Sequence, residues 1–189
     1  GSDVAGIKTT AKKDGDDYVL NGTKFFITNG VHADVYFVAA KTDTSAKGSR
    51  GISLFIVEKG MKGFSVGRAL KKQGWLSSDT AELIFDNCRV PATNMLGEEN
   101  KGFYAVMRNF QNERIVLGAQ AMGEAQAALD MTLDYVRERK AFGATLWDKQ
   151  AIRQRLSMAA AKVEAARQLV YKTAWMDSLG RECVKEVSM

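Results

Sequence analysis

Hydrophobic and polar positions alternate with a period of two through the first half of the chain, then switch to three- and four-residue steps from Gly102 onward. The period-two segments Gly6–Ala11, Tyr18–Leu20, Lys24–Ile27, Val35–Ala40, Ile52–Glu58, Phe64–Ala69 and Ala81–Phe85 are rich in β-branched and aromatic residues and predict short strands. Turn chemistry separates them. Asp14-Gly15-Asp16-Asp17 predicts a hairpin connection, Asn21-Gly22 and Asn29-Gly30 predict tight turns, and Thr42–Arg50 a polar loop. Short strands punctuated so regularly imply an antiparallel sandwich or barrel, closed by the only proline, Pro91.

The second half predicts helices over about Gly102–Lys140, with a break near Gly118 or Gly123, and over about Asp148–Leu179, ending against Gly180 with Asp148 as N-cap. A third begins at Arg181 or Glu182 and is still in helical pattern at Met189, which reads as a chain cut within that helix. At the other end Gly1-Ser2 also fits a cloning remnant. The fold class is therefore α+β, a β-domain over 1–98 followed by part of an antiparallel helical bundle over 99–189.

Phe103, Val106, Phe110, Leu117 and Ala121 predict one stripe of the first helix, and Glu113-Arg114 fall inside or beside it. An ionised carboxylate held from water without a partner costs several kcal/mol. The pair is either a boundary ion pair that solubilises the helix edge, or it faces a cavity that uses it.

Composition narrows the class. With 46% hydrophobic residues in 189, the chain can bury a substantial core as one domain or two. No apolar run reaches bilayer length, and no secretion signal opens the sequence. Cys88 and Cys183 lie in different halves, which fits a reducing compartment. One histidine and two cysteines supply too few ligands for a structural zinc. The net charge of +5 comes from scattered lysines and arginines without interleaved aromatics, a poor footprint for nucleic acid. Neither a Walker sequence nor a G-x-G-x-x-G phrase occurs, so a bound nucleotide needs another architecture.

Six phrases in order carry more: Gly1-Ser2-Asp3-Val4-Ala5-Gly6, Asn21 through Gly30, Ser78-Asp79-Thr80, Val90-Pro91, Gly97 through Phe103, and Glu138-Arg139-Lys140-Ala141-Phe142-Gly143. In this order and spacing the chain resembles the acyl-CoA dehydrogenase family along essentially its whole length. The resemblance implies that family's middle β-domain and the first helices of its C-terminal bundle. FAD would lie between the two, and acyl-CoA would pack on the isoalloxazine. It also implies a homo-oligomer, dimer or tetramer, that passes electrons to an electron-transfer flavoprotein in fatty acid β-oxidation. The bacterial cytoplasm is preferred over the mitochondrial matrix, and the piece alone is not expected to turn over.

Residue by residue, the resemblance implies that Phe26, Ile27 and Thr28 stand for a Trp-Ile-Thr phrase whose ring flanks the flavin and whose hydroxyl reaches its reactive nitrogen. Phenylalanine keeps the aromatic wall and loses the indole N–H. Taken by themselves, Phe26 and Thr28 read first as a strand-end core aromatic and a turn threonine. The resemblance further implies that Ser2 lies by the cofactor and substrate head and Ser78 near the CoA portion. It also implies that Arg139 through Phe142, with Gln150, reach the FAD of a neighbouring subunit. Glu113, directly before an arginine on this helix, looks like the family's catalytic carboxylate in its long-chain and isovaleryl placement. Arg114 would order the end of the site. A positioned carboxylate suits removal of a thioester α-proton while hydride leaves the β-carbon for flavin. An acyl-CoA oxidase on the same scaffold and a non-catalytic flavin or acyl-CoA binding protein remain alternatives.

Overall fold

A computed structural model describes residues 3–189, so Ser2 lies outside the described residues. The chain divides into two compact units, Gly1–Met107 and Arg108–Met189. The first contains β1 (Thr10–Asp14), β2 (Asp17–Thr28), β3 (Val35–Lys41), β4 (Ile52–Glu58), β5 (Phe64–Ala69), β6 (Thr80–Pro91) and β7 (Met95–Leu96). All seven join one sheet in the order β5-β6-β2-β1-β3-β4-β7. Every pairing is antiparallel except β1 with β3, which meet in parallel at Thr10 and Lys41.

The sheet curls until its two wings share one core, because the inward residues of β2 and β6 need a partner surface that β3 and β4 supply. Tyr18, Leu20, Phe55, Val57, Leu83, Phe85 and Val90 form that core. The rings of Tyr18 and Phe55 lie 5.0 Å apart, and those of Tyr36 and Phe64 4.8 Å apart, across strands that are not neighbours in the sheet. Fully burying a side chain such as Phe55 or Leu20 contributes about 1.5–3 kcal/mol.

β2 is longer than its pattern predicts. Asn21-Gly22 is not a turn but the site of a register shift within the strand, and a second shift lies between Lys24 and Ile27. The physical reason is packing: a Cβ at Gly22 would stand 2.9 Å from the Cα of Thr9, and its φ of +136° suits glycine. The first strand likewise begins only at Thr10, since Val4–Gly6 forms a 3₁₀ turn capped by Asp3.

The helical pattern gives α1 (Gly102–Glu138), a two-stranded hairpin of β8 (Lys140–Ala141) and β9 (Ala144–Thr145), α2 (Gln150–Ser178) and α3 (Val184–Ser188). α1 runs unbroken through Gly118 and Gly123, contrary to the sequence expectation; two isolated glycines cost about 1 kcal/mol each, too little to break so long a helix. Within the second unit α1 and α2 are antiparallel. Arg137 lies over the Trp147 ring at 5.5 Å, and Arg167 Nη2 donates to Gln126 Oε1 at 2.6 Å. Their seam on α1 is Ile115, Gly118, Met122, Gln126, Leu129, Leu133 and Val136, at steps of three and four. Leu117, expected in the apolar stripe, is 61% exposed, because the seam passes through Ile115 and Gly118 and leaves Val116 and Leu117 on the outer face. Asp148 does not cap α2. It closes a capping box with Thr145, and Lys149 occupies the N-cap position. α3 starts at Val184, later than expected. Among the described residues no helix is long and apolar enough to cross a membrane.

Candidate active site

The second shift in β2 changes which way its aromatics face. Strict alternation would return Phe26 to the core parity of Tyr18, Leu20 and Lys24. With the shift, Phe26 takes a φ of +61° and its ring is 71% exposed. A bulky residue in the left-handed region costs about 1–3 kcal/mol, so the fold holds this ring outward against its local preference. The core reading of Phe26 is therefore excluded. Phe25 stands edge-on to it, with centroids 4.4 Å apart.

Two hollows flank the ring pair. One, of about 790 Å³, is lined by Ile7, Thr23, Phe25, Phe26 and Ile27 among others. The other, of about 690 Å³, has Phe25, Phe26, Arg68, Lys71 and Lys72 in its wall. Thr28 is exposed where β2 ends, opposite Thr80, and Ser78 is half-buried two residues before that strand. Asp79 ties these ends together: its carbonyl accepts from Asn29 N–H at 3.0 Å and its Oδ2 from Val31 N–H at 2.7 Å. Phe26, Ile27, Thr28 and Ser78 thus gather at one end of the β2–β6 ribbon. An outward aromatic beside an exposed hydroxyl and open, part-basic hollows fits a flat, anionic cofactor such as a flavin dinucleotide.

In the helical unit, Glu113 is exposed rather than held from water. Its Oε1 accepts from Asn109 Nδ2 at 2.6 Å, one turn back on α1. Among the described residues, the ion pairs within 4.0 Å include neither Glu113 nor Arg114, so the boundary ion pair is not formed. Arg114 turns the other way, into a groove of about 150 Å³ with Ile115, Val170, Thr173, Glu186 and Met189. Arg139 and Phe142 lie at the β8–β9 hairpin, and Gln150 opens α2 just after it. Phe142 is 96% exposed at its tip, where it and Gly143 have φ of +55° and +77°. Leu146 N–H donates to the Arg139 carbonyl at 2.8 Å and closes the hairpin. Glu113 and Glu138 are 25 residues apart on one helix, hence about 38 Å at 1.5 Å per residue.

Sequence reasoning missed Lys24. Its Nζ donates to the Ala39 carbonyl at 2.6 Å across the gap left where β1 has not yet begun. Burial pushes this amine down to about 8. The signal was present: Lys24 sits on the inward parity of β2, where a charge is unusual.

The model of the acyl-CoA dehydrogenase middle domain matches residues 1–88, and that of the acyl-CoA dehydrogenase C-terminal domain matches residues 100–189. Cyclohexane-1-carbonyl-CoA dehydrogenase of Geobacter metallireducens is 47% identical over 189 residues, 100% of this chain and 49% of that protein. The mitochondrial isovaleryl-CoA dehydrogenase of Pongo abelii is 49% identical over 175 residues, 92% of this chain and 41% of its own. The crystal structure of an acyl-CoA dehydrogenase from Geobacillus kaustophilus superposes with a TM-score of 0.96 at 47% identity, covering 100% of this chain and 50% of that one. The chain spans about half the length of the curated relatives it matches.

Proposed function

The chain belongs to the acyl-CoA dehydrogenase family, and from that premise we propose that it supplies the middle β-domain, residues 1–98, and first bundle helices, residues 99–189, of an FAD-dependent acyl-CoA dehydrogenase. The observation that carries this reading is the outward Phe26 ring on its strained bulge. Strain of that kind is retained where a site uses it.

FAD, when bound, supplies the acceptor for the hydride that leaves the β-carbon of the acyl chain. Phe26 and Ile27 wall the ring, and the Thr28 hydroxyl orients it by a hydrogen bond. Ser78 holds the CoA portion, and Ser2 the substrate head. Glu113 takes the α-proton of the thioester. Asn109 occupies Oε1 and fixes the carboxylate rotamer, leaving Oε2 to receive the proton. Arg114, turned toward α3, orders the end of the site rather than the proton transfer. Arg139, Phe142 and Gln150 lie beyond the far end of α1 from Glu113, too distant to serve the same reacting centre. That separation supports their serving the FAD of a neighbouring copy, and so a dimer or tetramer. An electron-transfer flavoprotein is the proposed oxidant of the reduced enzyme, and the bacterial cytoplasm its place.

The test is Glu113→Gln in the complete enzyme. Bleaching of flavin absorbance by acyl-CoA should slow by about 10²–10⁴-fold, with flavin content unchanged. Bleaching at the original rate removes Glu113 from the mechanism.

A further inference from the structure

Lys24 has no part in the proposed reaction, though it stands at the edge of the proposed cofactor site, since Ile27 and Thr28 share its cleft and Phe26 and Ile27 the adjoining hollow. It lines a cleft of about 380 Å³ on the β2–β3 side of the sheet, whose other walls include Ile27, Val35, Phe37, Val38 and Leu83. Val35 and Phe37 are exposed, so the cleft opens to solvent along an apolar lip.

Among the described residues, the lining of that cleft holds no counter-charge. The only other titratable group of that lining is Tyr36, on β3, whose hydroxyl donates to the carbonyls of Gly30 and Ala33. From β6, Leu83 stands opposite Lys24 in the ladder. The adjoining hollow, which Lys24 also lines, adds Asp3 and Lys8 from the segment before β1. Among the described residues the ion pairs within 4.0 Å do not include Lys24. What holds its Nζ in place is one hydrogen bond to a carbonyl.

We propose that Lys24 is an acylation site, at which Nζ in the β2–β3 cleft attacks the carbonyl carbon of an acyl thioester and becomes an amide. A C–N bond forms and the C–S bond breaks. The nitrogen gives up one proton to water, the sulfur leaves as the thiolate, and nothing is oxidised or reduced. The choice of a thioester as electrophile rests on the proposed function. The geometry suits each stage. A neutral amine keeps one N–H on the Ala39 carbonyl while its lone pair meets the incoming carbon, and the amide product still has an N–H for that carbonyl. The acyl chain then lies against Phe37 and Val35.

The selectivity has a size. At pH 8 about half of Lys24 is neutral, against roughly 0.3% of an ordinary lysine. A less basic amine is also a weaker nucleophile; with a slope of about 0.4–0.5, as for thiols, the net advantage is on the order of 10-fold.

The experiment exposes the protein to acetyl-CoA at pH 7, 8 and 9. Peptide mass mapping follows acetylation of Lys24 against the exposed Lys12 and Lys13. Lys24 should react on the order of 10-fold faster at pH 8 and level off above it, while Lys12 keeps rising with pH. Equal or slower reaction at Lys24, or a parallel rise above pH 8, overturns the proposal. Acetyl N-hydroxysuccinimide ester forms a second arm; selective reaction with the ester but not the thioester also overturns it. Lys24→Arg should abolish the adduct at position 24 and leave Lys12 unchanged, and the profile of the unsubstituted protein decides the matter if that variant fails to fold. Neither arm involves flavin or turnover, so the Glu113 assignment stands or falls separately.

Discussion

Replacing Phe26 with glycine separates a ring kept for packing from a ring kept for a ligand. The residue is 71% exposed, so truncation forfeits only about a third of a phenylalanine's burial, roughly 0.5–1 kcal/mol. Glycine adds backbone freedom to the unfolded chain, costing about 0.5–1 kcal/mol. Against these, the φ of +61° no longer carries a side-chain penalty, which returns about 1–3 kcal/mol. The terms cancel to within about 1 kcal/mol, whereas emptying a core aromatic site costs about 3–5 kcal/mol. Urea unfolding of the flavin-free chain should therefore give nearly the same midpoint for Phe26→Gly as for the unsubstituted protein. Flavin retention by the complete enzyme, followed by absorbance after gel filtration, should fall. A loss of 3 kcal/mol or more in the flavin-free chain, or full flavin retention, would refute the assignment of the bulge to cofactor binding.

Lys24→Met tests the half-buried charge. Because burial lowers its amine from 10.5 to about 8, the native state binds the proton less well than the unfolded chain. Stability gained relative to Lys24→Met should thus be flat below pH 8 and rise toward pH 10.5, by about 1–2 kcal/mol after discounting the full shift for partial exposure. Paired denaturant titrations at pH 7 and pH 10 that differ equally for both proteins would contradict this. Gly63→Ala should cost several kcal/mol, since a Cβ there would stand 2.4 Å from the Asp86 carbonyl oxygen at a φ of +85°. Thermal unfolding checks it, and an unchanged midpoint would mean that β5 and β6 are not locked there.

The strands bounded by clear turn chemistry were legible in the sequence. Ile52–Glu58 and Phe64–Ala69 begin and end where expected, the first because β-branched and aromatic residues fill it, and both because no competing turn signal interrupts them. Asn21-Gly22 misled because a hairpin dipeptide and a strand bulge ask the same of a glycine, and only the neighbouring Thr9 backbone decides between them. β6 runs on to Pro91 because β2 pairs along its whole length, a long-range cause that the local pattern does not hold. The α1 stripe was misplaced because apolar residues occur all round that helix, and only contact with α2 selects Ile115, Met122 and Leu129. Glu113 and the Phe26 phrase were found through the order of short phrases; the bulge that turns Phe26 outward was not, since doubled phenylalanines signal no particular φ. Lys24 was passed over because a lone lysine in a strand is normally solvent-facing.

Asp79 makes partners of two groups that the chain separates by fifty residues. Because one aspartate grips the loop after Thr28 with both its carbonyl and its side chain, neither Thr28 nor Ser78 has an independent position to lose. A lesion in the Trp75–Ser78 turn would be felt at the far end of β2, and selection on either hydroxyl acts on both.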